Sequence, residues 1–221
     1  PHYLRLTRDG YRLVHGPNAP LPRRRRFEAI SPGLHHHTFS LAEVIVHLSI
    51  VAHRHGGSLE QFAPETTVCL TSDPFTLDPD AAFVIRRRDG RTFPFVLELD
   101  NSTERVRTRL DTESIERKLR GYDVHQSQFN AHDPQRYLVL FVTTRSEMRL
   151  NHILDLAGYV MQQPQRTVFL GCSLSRLLDS DPFASACFRD HRGLHRAIIP
   201  QLSPVRSASQ AAQHETPAMV S

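Results

Sequence analysis

Apolar residues recur at helical spacing through Leu41, Val44, Ile45, Leu48, Val51 and Ala52, and this stripe predicts an amphipathic helix. Ser40 with Glu43 has the form of a capping box that opens it, and Gly56-Gly57 ends it. A short strand is expected over Thr67–Thr71. Phe83–Ile85 and Thr92–Leu99 read as the two arms of a hairpin turning at Asp89-Gly90. Ile115, Leu119, Tyr122 and Gln126 share one face of a helix expected over Thr112–Gln128, and Lys118 lies on its flank. Arg136–Thr144 is almost continuously apolar, as in a strand buried on both sides. Thr144 and Glu147 form a second capping box, before a helix that turns Leu150, Ile153, Leu154, Ala157 and Met161 inward. A last strand is expected over Arg166–Cys172 and a short helix over Ser173–Leu178.

From Ser40 the order is therefore helix, three strands, helix, strand, helix, strand. An early antiparallel hairpin followed by crossovers predicts an α/β fold with a mixed central sheet and helices on both faces. The flanks differ in kind. Residues 3–14 alternate apolar and polar around Arg8-Asp9-Gly10, as a hairpin or a helix-to-strand turn would. Residues 16–34 hold four prolines, two glycines and the run Arg23, Arg24, Arg25, Arg26, and read as a linker. From Pro200 onward the chain is Ser, Ala, Gln and Pro without periodicity, which predicts a disordered tail.

A hydrophobic fraction of 39% and a charged fraction of 23% fit a soluble globular protein, and no apolar run is long enough to cross a membrane. Cys69, Cys172 and Cys187 have no metal-type spacing and cannot all pair, so a reducing cytoplasm is the expected setting. His35, His36, His37, His47, His53 and His55 invite a metal reading. Without an acid or a cysteine at ligand spacing they are taken as structural or solvated.

Charge changes the picture more. The net charge is +4, but residues 1–34 hold seven arginines against Asp9 and Glu28, while the rest of the chain holds 20 basic and 21 acidic residues. A basic N-terminal segment suits contact with nucleic-acid phosphates, with Arg5, Arg8 and Arg23 to Arg26 as the candidates. Of the 27 basic residues only Lys118 is lysine. A lone lysine among arginines points to a place where a compact point charge with a tunable pKa is needed and a guanidinium fails.

Asp80, after Pro79, and Glu98 stand at strand ends among apolar residues, where a carboxylate is unfavourable unless something compensates it. Magnesium needs only one or two carboxylates beside substrate phosphate, so Asp80 and Glu98 are the natural pair. Asp100, on the same side of the strand as Glu98, is a third candidate ligand. Such a cation would activate a water and stabilise charge on a phosphate, with Lys118 beside it. The plainer alternative is a strand-entry Asp80 and a core-edge Glu98 in a salt bridge with Lys118. Glu65 is taken as a surface acid.

Pro79-Asp80-Ala81, then Val96-Leu97-Glu98-Leu99-Asp100 with Ser102-Thr103-Glu104, then Lys118-Leu119 and Tyr122, resemble the replication-relaxation family of plasmid and mobile-element proteins. Tyr3 to Gly10 resembles the end of the winged-helix domain that precedes the core in that family. His37 matches the histidine that opens its first core helix, and Glu65 an acid before its first strand. The resemblance covers roughly residues 3–195, and the core order is also similar to the PD-(D/E)xK nuclease superfamily. It implies a restriction-endonuclease-like αβββαβ core over 37–198, a winged-helix remnant over 1–15, a linker over 16–36 and a tail over 199–221. It also implies DNA as partner, Mg²⁺ (Mn²⁺ as substitute) as cofactor, and Asp80, Glu98 and Lys118 as catalytic residues. Where that superfamily has its motif lysine this chain has Asp100, and Lys118 on the next helix is the replacement on offer. Two functions stay open: a Mg²⁺-dependent nicking enzyme, or a non-catalytic replication factor whose core docks replication proteins or a second copy of the chain.

Overall fold

The computed structural model describes residues 6–22, 27, 32–65, 67–101, 114–130 and 133–200. The chain forms two compact units, Pro1–Phe39 and Ser40–Ser221. In the first, residues Arg8–His15 form helix α1. This corrects the hairpin or helix-to-strand turn expected over 3–14. Thr7 caps the helix by accepting from the Gly10 amide at 3.0 Å, and Asp9 in the first turn suits the positive end of the helix dipole. The Tyr11 ring meets His15 and, edge-on, Phe27, while the Arg8 guanidinium lies 5.9 Å from the Phe27 centroid.

Helix α2, Pro32–Arg54, begins eight residues earlier than the Ser40 capping box predicts. Proline is well suited to a helix start, because its missing N–H has no intrahelical acceptor there. Ser40 is thus a buried mid-helix residue, and the linker expected over 16–34 ends in helix. The apolar stripe is where the periodicity placed it: Val44, Leu48, Val51 and Ala52 are buried, with Leu41 and Ile45 packed beside them. Gly56, at φ 72°, ends the helix region.

The strands are β1 (Ser58–Pro64), β2 (Leu70–Ser72), β3 (Phe75–Leu77), β4 (Ala81–Arg86), β5 (Thr92–Asp100), β6 (Leu138–Thr143), β7 (Phe169–Ser173), β8 (Phe188–Asp190) and β9 (His195–Arg196). Helices α3 (Ile115–Ser127), α4 (Glu147–Val160) and α5 (Leu174–Leu178) lie among them. Seven strands form one sheet in the order β1-β4-β5-β6-β7-β8-β9. β1, β4 and β5 are antiparallel neighbours, β5, β6 and β7 run parallel, and β8 and β9 are antiparallel additions beyond the strand expected to be last. The mixed sheet flanked by helices is the expected architecture.

One strand is assigned differently. The first of the three antiparallel strands is β1 and not 67–71. Leu70–Ser72 pairs instead with β3 in a separate two-stranded ribbon that packs on α3. Gly121 permits that contact, since a Cβ there would lie 3.0 Å from Leu77 Cδ2 and 3.2 Å from Phe75 Cβ. A further adjustment concerns α4, which is capped by Ser146 accepting from the Arg149 amide, not by Thr144.

The sheet separates two cores. Phe95, Leu97 and Leu99 of β5 face α2 with Phe83, Leu140, Val142 and Leu170. Val96, Val139 and Phe141 face α3 and α4 with Leu119, Tyr122, Leu150, Ile153 and Leu154. Strand alternation therefore sends Glu98 and Asp100 to the α3/α4 side. The β4–β5 turn is short: the Gly90 amide bonds Arg87 O at 2.9 Å, with Gly90 at φ 82°.

Gly57 sits where a Cβ would stand 2.4 Å from the Arg86 carbonyl oxygen, so Gly57→Ala must displace backbone at the β1–β4 edge. The expected loss is about 2 kcal/mol, the scale of overpacking, measured as a shift in the denaturation midpoint against wild type.

Candidate functional site

The β4–β5 pairing places the first two acids. Ala81 stands opposite Leu97, and one step further in the same register brings Asp80 opposite Glu98. Asp80 itself stands just before β4, and its charge is felt by both Glu98 and Tyr122 on the α3/α4 side. Asp80 Oδ2 accepts from the Leu99 amide at 2.6 Å, which pins its carboxylate to the strand that carries Glu98.

Helix α3 closes over Glu98. It starts at Ser114, whose hydroxyl accepts from the Arg117 amide at 3.2 Å. Lys118 and Tyr122, one turn apart, reach the same carboxylate: Lys118 Nζ donates to Glu98 Oε2 at 2.9 Å, and the Tyr122 hydroxyl donates to Oε1. Glu98 is 4% exposed. Burial pushes its pKa from the ordinary 4.5 up to about 7; the Lys118 charge opposes the rise and the Asp80 charge adds to it. Burial, with Glu98 next to it, also drives the Tyr122 hydroxyl well above its usual range.

Asp100 shares the face but turns to α4. Its two oxygens accept from Arg149 Nε at 2.6 Å and Nη2 at 2.7 Å, and the Thr143 hydroxyl donates to Oδ2 at 3.0 Å. Beside it Asn101 Oδ1 accepts from the Thr144 hydroxyl at 2.7 Å, and the Asn101 carbonyl accepts from Arg145 Nε at 3.2 Å. Among the described residues no group of three or more His, Cys, Asp or Glu could hold a metal ion. The structure thus brings Asp80, Glu98 and Lys118 together and commits Asp100 to an arginine fork.

The other expected site residues are dispersed. Arg8 lies on α1, and Arg5 and Arg23 to Arg26 fall outside the described residues. Glu65 is exposed just past β1, and His37 lies inside α2 instead of opening it. His47 Nε2 bonds the Ser180 carbonyl and His55 Nε2 the Asp181 carboxylate, in keeping with structural histidines. The contacts that sequence reasoning missed are those of Tyr122 and Arg149. Tyr122 carried a signal, since it lies four residues after Lys118 on one helix face. Arg149 carried none.

The native state binds the Glu98 proton more tightly than the unfolded chain between about pH 4.5 and 7. This group's contribution is therefore favourable below that window and is lost as pH rises through about 7. In metal-free buffer the Glu98 carboxyl resonance is expected to titrate near 7. Asp80→Asn should move the midpoint down and Lys118→Met should move it up. An unmoved midpoint in Asp80→Asn would show that the two carboxylates do not sense each other.

The replication-relaxation family model matches residues 1–134, which takes in Asp80, Glu98, Asp100, Lys118 and Tyr122. No curated protein matches the chain, and neither does any solved structure. Among the described residues no helix is long and apolar enough to cross a membrane. A match over more than half of the chain, carried through both acid-bearing strands and into the helix that supplies the lysine, establishes the relationship: the chain belongs to the replication-relaxation family.

Proposed function

We propose that this protein acts on DNA during the replication or relaxation of a plasmid or mobile element, and that Asp80, Glu98 and Lys118 form a Mg²⁺-dependent nicking site. The observation that carries the reading is the 2.9 Å contact of Lys118 Nζ with Glu98 Oε2, at a carboxylate that also feels the Asp80 charge. The order α2, β1, β4, β5, α3, β6 supports it, because helix, three antiparallel strands, helix and parallel strand is similar to the PD-(D/E)xK core.

The residues fit a hard divalent cation. Asp80, just before β4, and Glu98 on β5 supply oxygen donors, and a cation held there would offset the desolvation of Glu98 and the Asp80 repulsion that raise its pKa. When bound, the ion would polarise the scissile phosphate and lower the pKa of a bound water. Asp80 and Glu98 would hold it. Lys118 keeps an ammonium at the carboxylate edge, where it orients the nucleophile or neutralises phosphate oxygens. Tyr122 holds Glu98 Oε1 in place. The N-terminal arginines attach the protein to DNA through phosphates.

A second reading rests on the same contacts. Lys118 and Tyr122 together engage both Glu98 oxygens, as they would in a structural network of a non-catalytic replication factor.

Supercoiled plasmid with Mg²⁺ or Mn²⁺ separates the two. Metal-dependent nicking is expected from wild type, with a loss of about 100-fold or more in each of Asp80→Ala, Glu98→Ala and Lys118→Arg. Wild-type protein that binds DNA without nicking it would establish the second reading instead.

A further inference from the structure

The tip of the β4–β5 hairpin, the end of α2 and the segment 183–200 meet around a cavity of 640 Å³. It lies at the Arg86 end of β4, whereas Asp80 stands before the other end. Six residue steps separate those ends, roughly 20 Å of strand, so the cavity is distinct from the Glu98 site. Ala52, Phe183 and Ile199, all from the core under α2, give it an apolar wall. A volume of this size suits a small organic molecule, held by apolar contact and a few placed polar groups.

Most of the charged groups around it are already engaged. Arg86 Nε donates to Glu60 at 2.9 Å. Arg87 Nη1 donates to the Pro200 carbonyl at 3.1 Å, and its Nη2 stands 3.6 Å from Asp89. Arg88 differs. It is exposed, and its stem runs over Gly56, where a Cβ would lie 3.3 Å from Arg88 Cδ. Among the described residues none bonds the Arg88 guanidinium, which leaves its N–H donors for a ligand.

His55 supplies a group of the opposite kind. Its Nε2 bonds Asp181 Oδ2 at 2.8 Å. A carboxylate only accepts, so Nε2 carries the hydrogen and Nδ1 of the neutral ring is an acceptor. The ring lies 21° from parallel to Phe183 at 5.5 Å between centroids, and both rings line the cavity. A flat aromatic wall, an acceptor for an N–H and an unengaged guanidinium thus converge on one space.

We propose that this cavity binds a nucleoside phosphate, with the base against His55 and Phe183 and the phosphate on Arg88. An aliphatic carboxylate would fill the apolar wall but leave the His55 acceptor without a donor, whereas a base brings both a flat face and N–H groups. A free mononucleotide and the 5′ end of a DNA single strand present this same chemistry. The site stands apart from the nicking centre and holds whether or not that centre cuts.

The full chain is titrated with dAMP, deoxyadenosine, inorganic phosphate and a short 5′-phosphorylated oligodeoxyadenylate, followed by calorimetry and by NMR. Saturable binding of dAMP is expected, with shifts of the His55 imidazole and Arg88 amide resonances and tighter binding than either fragment. Arg88→Gln should weaken dAMP about tenfold and leave deoxyadenosine unchanged. Ala184→Leu, at an exposed position lining the cavity, should weaken both about tenfold or more by filling the space. Both substitutions are at exposed positions, so Tm is expected to stay at the wild-type value, which circular dichroism checks. Tighter binding of the phosphorylated strand than of dAMP identifies a strand end as the ligand, and the reverse order a free nucleotide. The proposal is overturned if neither dAMP nor the strand gives a saturable response by about 10 mM. Binding that neither substitution weakens overturns it as well.

Discussion

A carboxylate at position 98 has been carried into the layer between the sheet and α3, and the surrounding elements are arranged to make that tolerable. Left alone there, an ionised group would be strongly disfavoured and would take up a proton instead. Lys118 supplies the opposing charge and Tyr122 the second hydrogen bond, both from one turn of α3. The helix must therefore dock in one rotation and at one height over β5. Ser114 at its start and the β2–β3 ribbon against Gly121 hold that rotation from either side. Removing one partner of a buried pair commonly destabilises by about 3–5 kcal/mol. Lys118 is 22% exposed at the side chain, so its share lies below that range.

Strand β5 divides its labour by parity. Its odd positions, Phe95, Leu97 and Leu99, fill the core under α2, and its even positions Glu98 and Asp100 turn polar toward α3 and α4. Neither acid is a defect in a central strand, because each is met by a helix that brings a cation. The pairings also tie β5 to three later elements, α3, β6 and α4, so the polar face contributes to assembly as well as to chemistry.

Much of this was legible in the residues, and the exceptions have physical reasons. The α2 stripe and the Asp89-Gly90 hairpin follow local rules of spacing and turn geometry, and both appear where those rules place them. The Lys118–Glu98 contact was readable because the chain has a single lysine, set on the helix after the acid-bearing strand. β1 was not, since Gln61 at φ 51° and the shift of register between Glu60 and Ala63 break the alternation that marks a strand. The start of α2 was hidden by Pro32 and Gly33, which read as linker until a proline is allowed to open a helix. The Asp100–Arg149 fork joins residues 49 positions apart, and nothing distinguishes that arginine from the many others along the chain.

The turn at Arg87–Arg91 acts as a ruler for the whole polar face. Side chains on paired strands alternate with a period of two, so the offset between the arms of this hairpin decides which side of the sheet receives Asp80 opposite Glu98. An insertion or deletion of one residue between Arg86 and Thr92, unless taken up by a bulge, would rotate one arm by half a turn and carry its acid into the apolar layer beneath α2. Two residues would shift the pairing and keep the side. Length variation at this distant, exposed tip is thus constrained to even steps, although the tip touches nothing around Glu98.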